Sequence, residues 1–270
     1  MHQETPTHVQ DLEQFVTEQS TDDHTGAAWY ALCPTLSGAV TITRALDAAS
    51  TPNVRFLGGG TALRKASRRF PVGARLGEAT ADPGPRVVEA CPFPTTLVGP
   101  SGVAVVVTAS DAQCVSVATD ERHDRLRAGA ERAWTDADDT DLSVPSLDTL
   151  LGTAERELGP AFREAVETAV QVADSRSPDG TVDGVGAALL AAAARERLFR
   201  DVSRWATHQG LASGATCSRR RGELAEADAV VTSEEATSPG RPTLRCHLTD
   251  AARRRYESEG VGALIAEHCL

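Results

Sequence analysis

The sequence predicts an α/β N-terminal domain and, after a helical connector, a C-terminal winged helix-turn-helix; three observations carry that expectation. Short β-rich runs alternate with a helical period from Ala28 onward, opening as a βαβ unit and continuing into a mixed sheet. Two helical stretches with apolar stripes follow between Leu147 and Ala173. The segment Asp201 to Thr249 then reads as a helix, a glycine turn, an arginine-dense helix and two strands joined by a Pro/Gly tip. The chain has 270 residues, room for roughly two domains that each bury a core. The expected divisions are a mobile acidic tail over 1–27, an α/β sensing domain over 28–141, a helical connector over 142–180 and the winged helix-turn-helix over 181–270.

Taken in order, the first 26 residues are polar with little to bury, although Gln10 to Glu18 could form a brief helix. Ala28 to Cys33 reads as a strand, Leu36 to Ala49 as a helix and Val54 to Leu57 as a second strand. A basic helix runs from Thr61 to Phe70, where Pro71 ends it. Gly58, Gly59 and Gly60 stand between strand and helix, where a phosphate loop could stand. They lack both GxGxxG and GK[ST], so a plain turn is the better reading, with an anionic metabolite near Gly59 and Thr61 as the alternative. Arg86 to Ala90, Thr95 to Val98, Gly102 to Ala109 and Gln113 to Thr119 read as strands, the last two as a hairpin across Ser110 and Asp111. A helix from Asp120 to Trp134 follows, with Trp134 as a packing anchor and His123 solvated among charges. No nucleophile elbow, paired carboxylates or positioned triad is present, which argues against an enzyme.

The stripes Leu147, Leu150, Leu151, Leu158 and Phe162, Val166, Ala169, Val170 mark two connector helices joined at Gly159-Pro160, which could also make a dimer contact. Ser175 to Gly180 has linker chemistry, and Val185 to Phe199 reads as an alanine-rich helix of the last domain. In the helix after Asp201, expected as its cap, Val202, Trp205 and Ala206 form the inward stripe. Gly210 stops that helix, and Ser213 can cap the next, beginning near Ala215. At about 100° per residue, Cys217 and Leu224 share one face while Ala215, Arg219 and Gly222 point the opposite way. A small, basic outer face suits a major groove, because small residues allow close approach and arginine pairs bidentately with guanine. Thr216 and Arg219, with Arg220 behind them, are the expected base readers, and Ser213 and Ser218 belong to the same DNA-binding set. Arg221 should leave sideways toward a phosphate or an acid. Val230 to Ser233 and Thr243 to Leu248 read as strands around Ser238 to Pro242, placing Arg241 and Arg245 on a wing in reach of the DNA backbone or minor groove. A cap at Thr249 opens a further helix over Ala251 to Glu259.

GLASGATCSRR followed by SPGRPTLRCHL resembles the C-terminal domain of the haloarchaeal transcriptional regulators called TbsP, a winged-helix family. The matching positions are Gly210 to Ser213, Ala215, Thr216, Ser218, Arg219 and Gly240 to Pro242. Gly214 and Cys217 depart from the family, which has a lysine and an aromatic there, so a phosphate contact is lost and a core side chain is smaller. The resemblance implies a DNA-binding regulator, and extends more weakly back to about Ala28.

A formal net charge of -11 argues at first against nucleic acid. Its distribution reverses that: residues 1–180 hold 26 acids and 15 bases, residues 181–270 hold 12 of each, and no acid lies between Asp201 and Glu223. Lys65 is the only lysine among 27 basic residues, and the excess of acids resembles proteins of salt-loving archaea. At molar salt, charge is screened within about 3 Å, which favours short, geometrically matched arginine contacts over a broad basic patch. The six cysteines, Cys33, Cys91, Cys114, Cys217, Cys246 and Cys269, form no C-x-x-C pair, so neither a metal nor a cofactor is expected. The N-terminus lacks signal-peptide character and no apolar run spans a bilayer, so a cytoplasmic location away from membranes is expected.

The expected partners are therefore double-stranded DNA, a second copy of the chain and a small-molecule effector at the N-terminal domain. Two alternatives stand beside this: a nucleotide- or small-molecule-binding α/β enzyme with the C-terminal domain as an interaction module, and an adaptor whose winged helix grips a protein.

Overall fold

A computed structural model describes residues 8–9, 12–21, 28–49, 53–80, 84–89, 91, 93–109, 112–118, 121–140, 142, 145–177, 180–235 and 243–270, with the backbone alone for 8–9, 21, 107–109 and 112–118. The chain forms two compact units, Met1–Ser67 with Arg75–Val144, and Arg68–Ala74 with Pro145–Leu270.

The first unit is mixed α/β. Its elements run β1 (His8–Val9), α1 (Leu12–Thr21), β2 (Trp29–Cys33), α2 (Leu36–Ala48), β3 (Val54–Gly59), α3 (Gly60–Ser67) and α4 (Val72–Ala79), of which Val72 to Ala74 group with the second unit. They continue with β4 (Arg86–Val88), β5 (Thr96–Val98), β6 (Val103–Ala109), β7 (Ala112–Ala118), α5 (Glu121–Asp136) and β8 (Asp138–Asp139). The sheet order is β1-β7-β6-β5-β2-β3-β4-β8; β1 and β8 at the two edges have two residues each. β2, β3 and β4 are parallel and the other pairings antiparallel. Every residue of β2 is buried, as expected of an apolar run covered on both sheet faces. Thr35 caps α2 by accepting from the Gly38 amide at 3.1 Å, and Ile42, Ala45 and Leu46 turn into the core.

Several expectations for this unit need correction. The brief helix expected over Gln10 to Glu18 is found as α1, but it is no part of a mobile tail: Leu12, Phe15 and Val16 are buried, and Phe15 meets Trp29 edge-on at 6.4 Å. Gln19 accepts from the Ser101 amide and hydroxyl at 2.9 and 2.8 Å. An i, i+3, i+4 stripe of only three apolar residues is enough to seat a single short helix. The glycines 58–60 form no separate turn, since β3 runs directly into α3. A Cβ on Gly58 would collide with the Cys33 carbonyl oxygen, so close strand packing explains that glycine without a phosphate. The helix expected to Phe70 stops at Ser67, and α4, unread in the sequence because of its two glycines, follows. His123 is buried with Nε2 3.2 Å from the Gly99 carbonyl. Trp134 is the anchor expected of it, buried beneath the Arg86 guanidinium at 4.9 Å. Asp138 and Asp139 pair with β4.

The second unit is largely helical: α6 (Leu147–Leu158), α7 (Pro160–Arg176), α8 (Gly184–Ala194), α9 (Phe199–His208), α10 (Gly214–Glu226), β9 (Val230–Glu235), β10 (Thr243–Leu248), α11 (Asp250–Glu259) and α12 (Val261–His268). α8 is buried continuously from Val185 to Ala193, the burial pattern of a helix apolar all round. α6 and α7 are not a separate connector. Leu150, Phe162 and Ala169 share one core with Trp205, Leu224 and Leu248; Phe162 meets the Trp205 ring edge-on at 5.3 Å, and Trp205 Nε1 donates to Thr153 Oγ1 at 3.1 Å. The stripes of α6 and α7 thus pack within one chain. β9 and β10 form an antiparallel hairpin in which Val230 pairs with Leu248 and Glu235 with Thr243, and Leu198 adds an isolated antiparallel bridge to Arg245. The expected tip Ser238 to Pro242, with Arg241, lies outside the described residues.

Candidate nucleic-acid interface

α9 forms because Val202, Trp205 and Ala206 face inward together, while Arg200, Arg204 and Thr207 are exposed. Its N-cap is Leu198, with no side-chain bond, and Asp201 lies in the first turn rather than capping. Asp201 instead stands 3.5 Å from Arg200 and 3.4 Å from Arg204. The chain leaves α9 through Gly210, whose φ of 68° is open to glycine at no steric cost. The Leu211 amide then reaches the Ala206 carbonyl at 2.9 Å. Ser213 starts α10: its Oγ accepts from the Thr216 amide at 3.1 Å and lies 2.9 Å from the Thr216 hydroxyl.

Cys217 and Leu224 are buried on the inner side of α10, whereas Gly214, Ala215, Ser218 and Arg219 are exposed. A Cβ added at Gly222 would meet nothing within 4 Å. This outer strip of small side chains carries one extended cation, Arg219, whose side chain is 74% exposed and whose Nε is 4.0 Å from Glu223. Burial raises the Cys217 thiol pKa.

The three neighbouring arginines do different things. Arg220, expected near the bases, points into the unit: it pairs with Asp183, reaches Glu223 at 3.0 Å and donates to the His268 carbonyl. Its side chain is only 20% exposed. Burial works against its charge, but Asp183 and Glu223 outweigh it and hold the guanidinium pKa up. The reason for the difference is angular, since Arg220 lies 100° round the helix from Arg219, facing the start of α8. Among the described residues Arg221 has no acidic partner; it stacks over the Phe199 ring at 4.8 Å, a cation–π contact. On β10, Arg245 grips Glu235 through Nε at 2.7 Å and donates to the Glu196 carbonyl, which turns it toward its own unit rather than outward. Ser213, Thr216, Ser218 and Arg219 are thus brought together at one helix end, and Arg220 and Arg245 are not part of that surface. Arg200 and Arg204 are exposed on α9, and both stand beside Asp201.

Two helices joined at a tight glycine turn, the second capped and presented outward, define a helix-turn-helix domain. Residues 146–265 match the family model described as transcriptional regulator TbsP-like, C-terminal HTH domain. That region, under half of the chain, points to a DNA-binding transcriptional regulator rather than an enzyme. No curated protein and no solved structure matches the chain. Among the described residues no helix is long and apolar enough to cross a membrane, and no group of three or more His, Cys, Asp or Glu could hold a metal ion.

Proposed function

We propose that the chain is a non-enzymatic, sequence-specific transcriptional regulator that lays α10 in the major groove of double-stranded DNA. The observation that carries this is the outer strip of α10: Gly214, Ala215, Ser218 and Gly222 leave room for base edges, and Arg219 is the arginine of the helix that extends from it. Ser213 and Thr216 stand at the helix start, where amides and hydroxyls receive a phosphate or a base edge. The finer reading is a winged helix, supported by the β9–β10 hairpin after α10 and by the Leu198 bridge that adds a third strand position to it. The proposed DNA-binding set also includes Arg241, as a contact to the DNA backbone. Arg220 and Arg245 are assigned to holding the domain together, because their guanidiniums are already committed. The rest of the reading is a homodimer on paired half-sites, an N-terminal α/β unit that answers a small molecule or partner, and a cytoplasmic location in a halophilic archaeon.

The test is to select bound fragments from genomic DNA with the purified full chain at molar salt, then compare wild type with Arg219→Ala on the selected and a scrambled duplex. Recovery of a recurrent sequence, with loss of preference in the variant, is expected. Absence of any selected sequence at every salt concentration refutes the assignment.

A further inference from the structure

The second unit includes two arginines from far away in the sequence. Arg68 and Arg69 are exposed and belong with residues 145–270, because the next residue is anchored there. The Val182 amide donates to the Phe70 carbonyl at 2.8 Å, and the Phe70 Cβ stands only 2.8 Å from where a Cβ on Gly184 would be. The anchor holds both arginines on the wall of a cavity of 590 Å³, shared with Thr181, Asp183, Leu211 and Cys269.

Two of those wall residues are tied to α10. Leu211 lies two residues before the cap Ser213, and Asp183 is the ion-pair partner of Arg220. The cavity wall that carries the arginines is therefore tied to α10 through Leu211 and, on the side of Arg220, through Asp183, whereas Arg221 meets Phe199 of α9. Elsewhere in the unit Arg200 and Arg204 share Asp201, and Arg253 and Arg255 hold Glu196 and Glu267. Arg68 has no ion-pair partner among the described residues, and the nearby Asp183 carboxylate is neutralised by Arg220. A helix inserted in the major groove has a phosphate backbone along each flank, and a protein that neutralises those phosphates gains affinity without sequence preference.

We propose that Arg68 and Arg69 hold phosphates of the strand that borders α10, so that a segment from between α3 and α4 completes the DNA-binding surface. This rests on the DNA-binding reading above and adds to it a contact outside the region matched by the family model.

The experiment measures the dissociation constant of the full chain on the selected and scrambled duplexes across a salt series. It uses wild type, Arg68→Gln, Arg68→Lys, the double variant Arg68→Gln/Arg69→Gln and Arg219→Ala. The expected result for the double variant is weaker binding by about threefold to tenfold per arginine, equal on both duplexes. The slope of log affinity against log salt should become shallower by about 0.9 per arginine removed, and Arg68→Lys should keep the wild-type slope. Arg219→Ala should lose preference between the duplexes instead. An unchanged slope in the double variant overturns the proposal while leaving the role of α10 intact if Arg219→Ala still loses preference; if neither variant changes anything, both readings fall. Saturable binding of inorganic phosphate to the DNA-free chain, lost in the double variant with the salt slope unchanged, assigns the pair to a small-anion site and also overturns it.

Discussion

Arg219 and Arg220 are neighbours in sequence with opposite roles, and replacing each by alanine separates them. Arg220→Ala removes a guanidinium that is 20% exposed and leaves Asp183, 33% exposed, without its partner. It also strips one bond each from Glu223 and the His268 carbonyl. Breaking a fully buried pair costs about 3–5 kcal/mol and a surface pair about 0–1. A mostly buried guanidinium facing a half-exposed carboxylate falls between, at about 2 kcal/mol. For a unit of this size that lowers the melting temperature by roughly 6–10 °C. Arg219, 74% exposed with a single contact at 4.0 Å, should change stability by no more than about 0.5 kcal/mol. On DNA the order reverses: Arg219→Ala should lose about 1–3 kcal/mol of discrimination, roughly fivefold to 150-fold, and Arg220→Ala, measured well below its melting temperature, almost none. Calorimetric melting and competition binding on selected and scrambled duplexes read the two effects independently. A stable Arg220→Ala protein that has lost discrimination would refute the assignment of that guanidinium to the interior.

Further expectations concern the cap, the strand crossing and the thiols. Ser213→Ala removes the acceptor for the Thr216 amide and should destabilise the protein by about 1 kcal/mol in urea unfolding, with Ser213→Asp restoring most of it. Gly58→Ala drives a methyl into the Cys33 backbone carbonyl, at a cost of about 1–3 kcal/mol seen in the same assay. Burial lifts the Cys246 thiol pKa from 9.0 to about 11 and that of Cys269 to about 12. The folded protein keeps these thiols neutral while the unfolded chain ionises them, so their contribution is complete below pH 9 and declines as pH rises through 11 to 12. The urea midpoint should therefore fall on going from pH 8 to pH 10.5, and fall less in a Cys246→Ala, Cys269→Ala protein.

What the sequence made legible was local. The strand run at Trp29–Cys33, the cap at Ser213 and the opposed faces of α10 follow from composition, hydrogen-bonding side chains and a 100° step, all contained within a few residues. What it hid was tertiary. The stripes of α6 and α7 look the same whether they meet a second chain or, as found, Trp205 of their own. His123 sits among charges in sequence, yet its helix position turns it to the Gly99 carbonyl. The arginine run at 219–221 offers three identical side chains whose fates depend on Asp183 and Phe199, residues that no local pattern brings near them. Gly58 to Gly60 suggested a ligand because glycines permit close approach; the approaching group is the neighbouring strand.

The docking of Phe70 onto Val182 and Gly184 also bears on how such a chain could have been assembled. A domain joined to its neighbour at one point can be exchanged by a single recombination event. Here a piece of the earlier sequence completes the packing of the later one, so a cut near Pro145 would carry off α6 to α12 without the residue that covers Gly184. The fragment from 145 onward would start life with an apolar notch and an unpaired Val182 amide. Inheritance as one piece, or fusion to a donor offering its own aromatic plug at that notch, is what the arrangement favours.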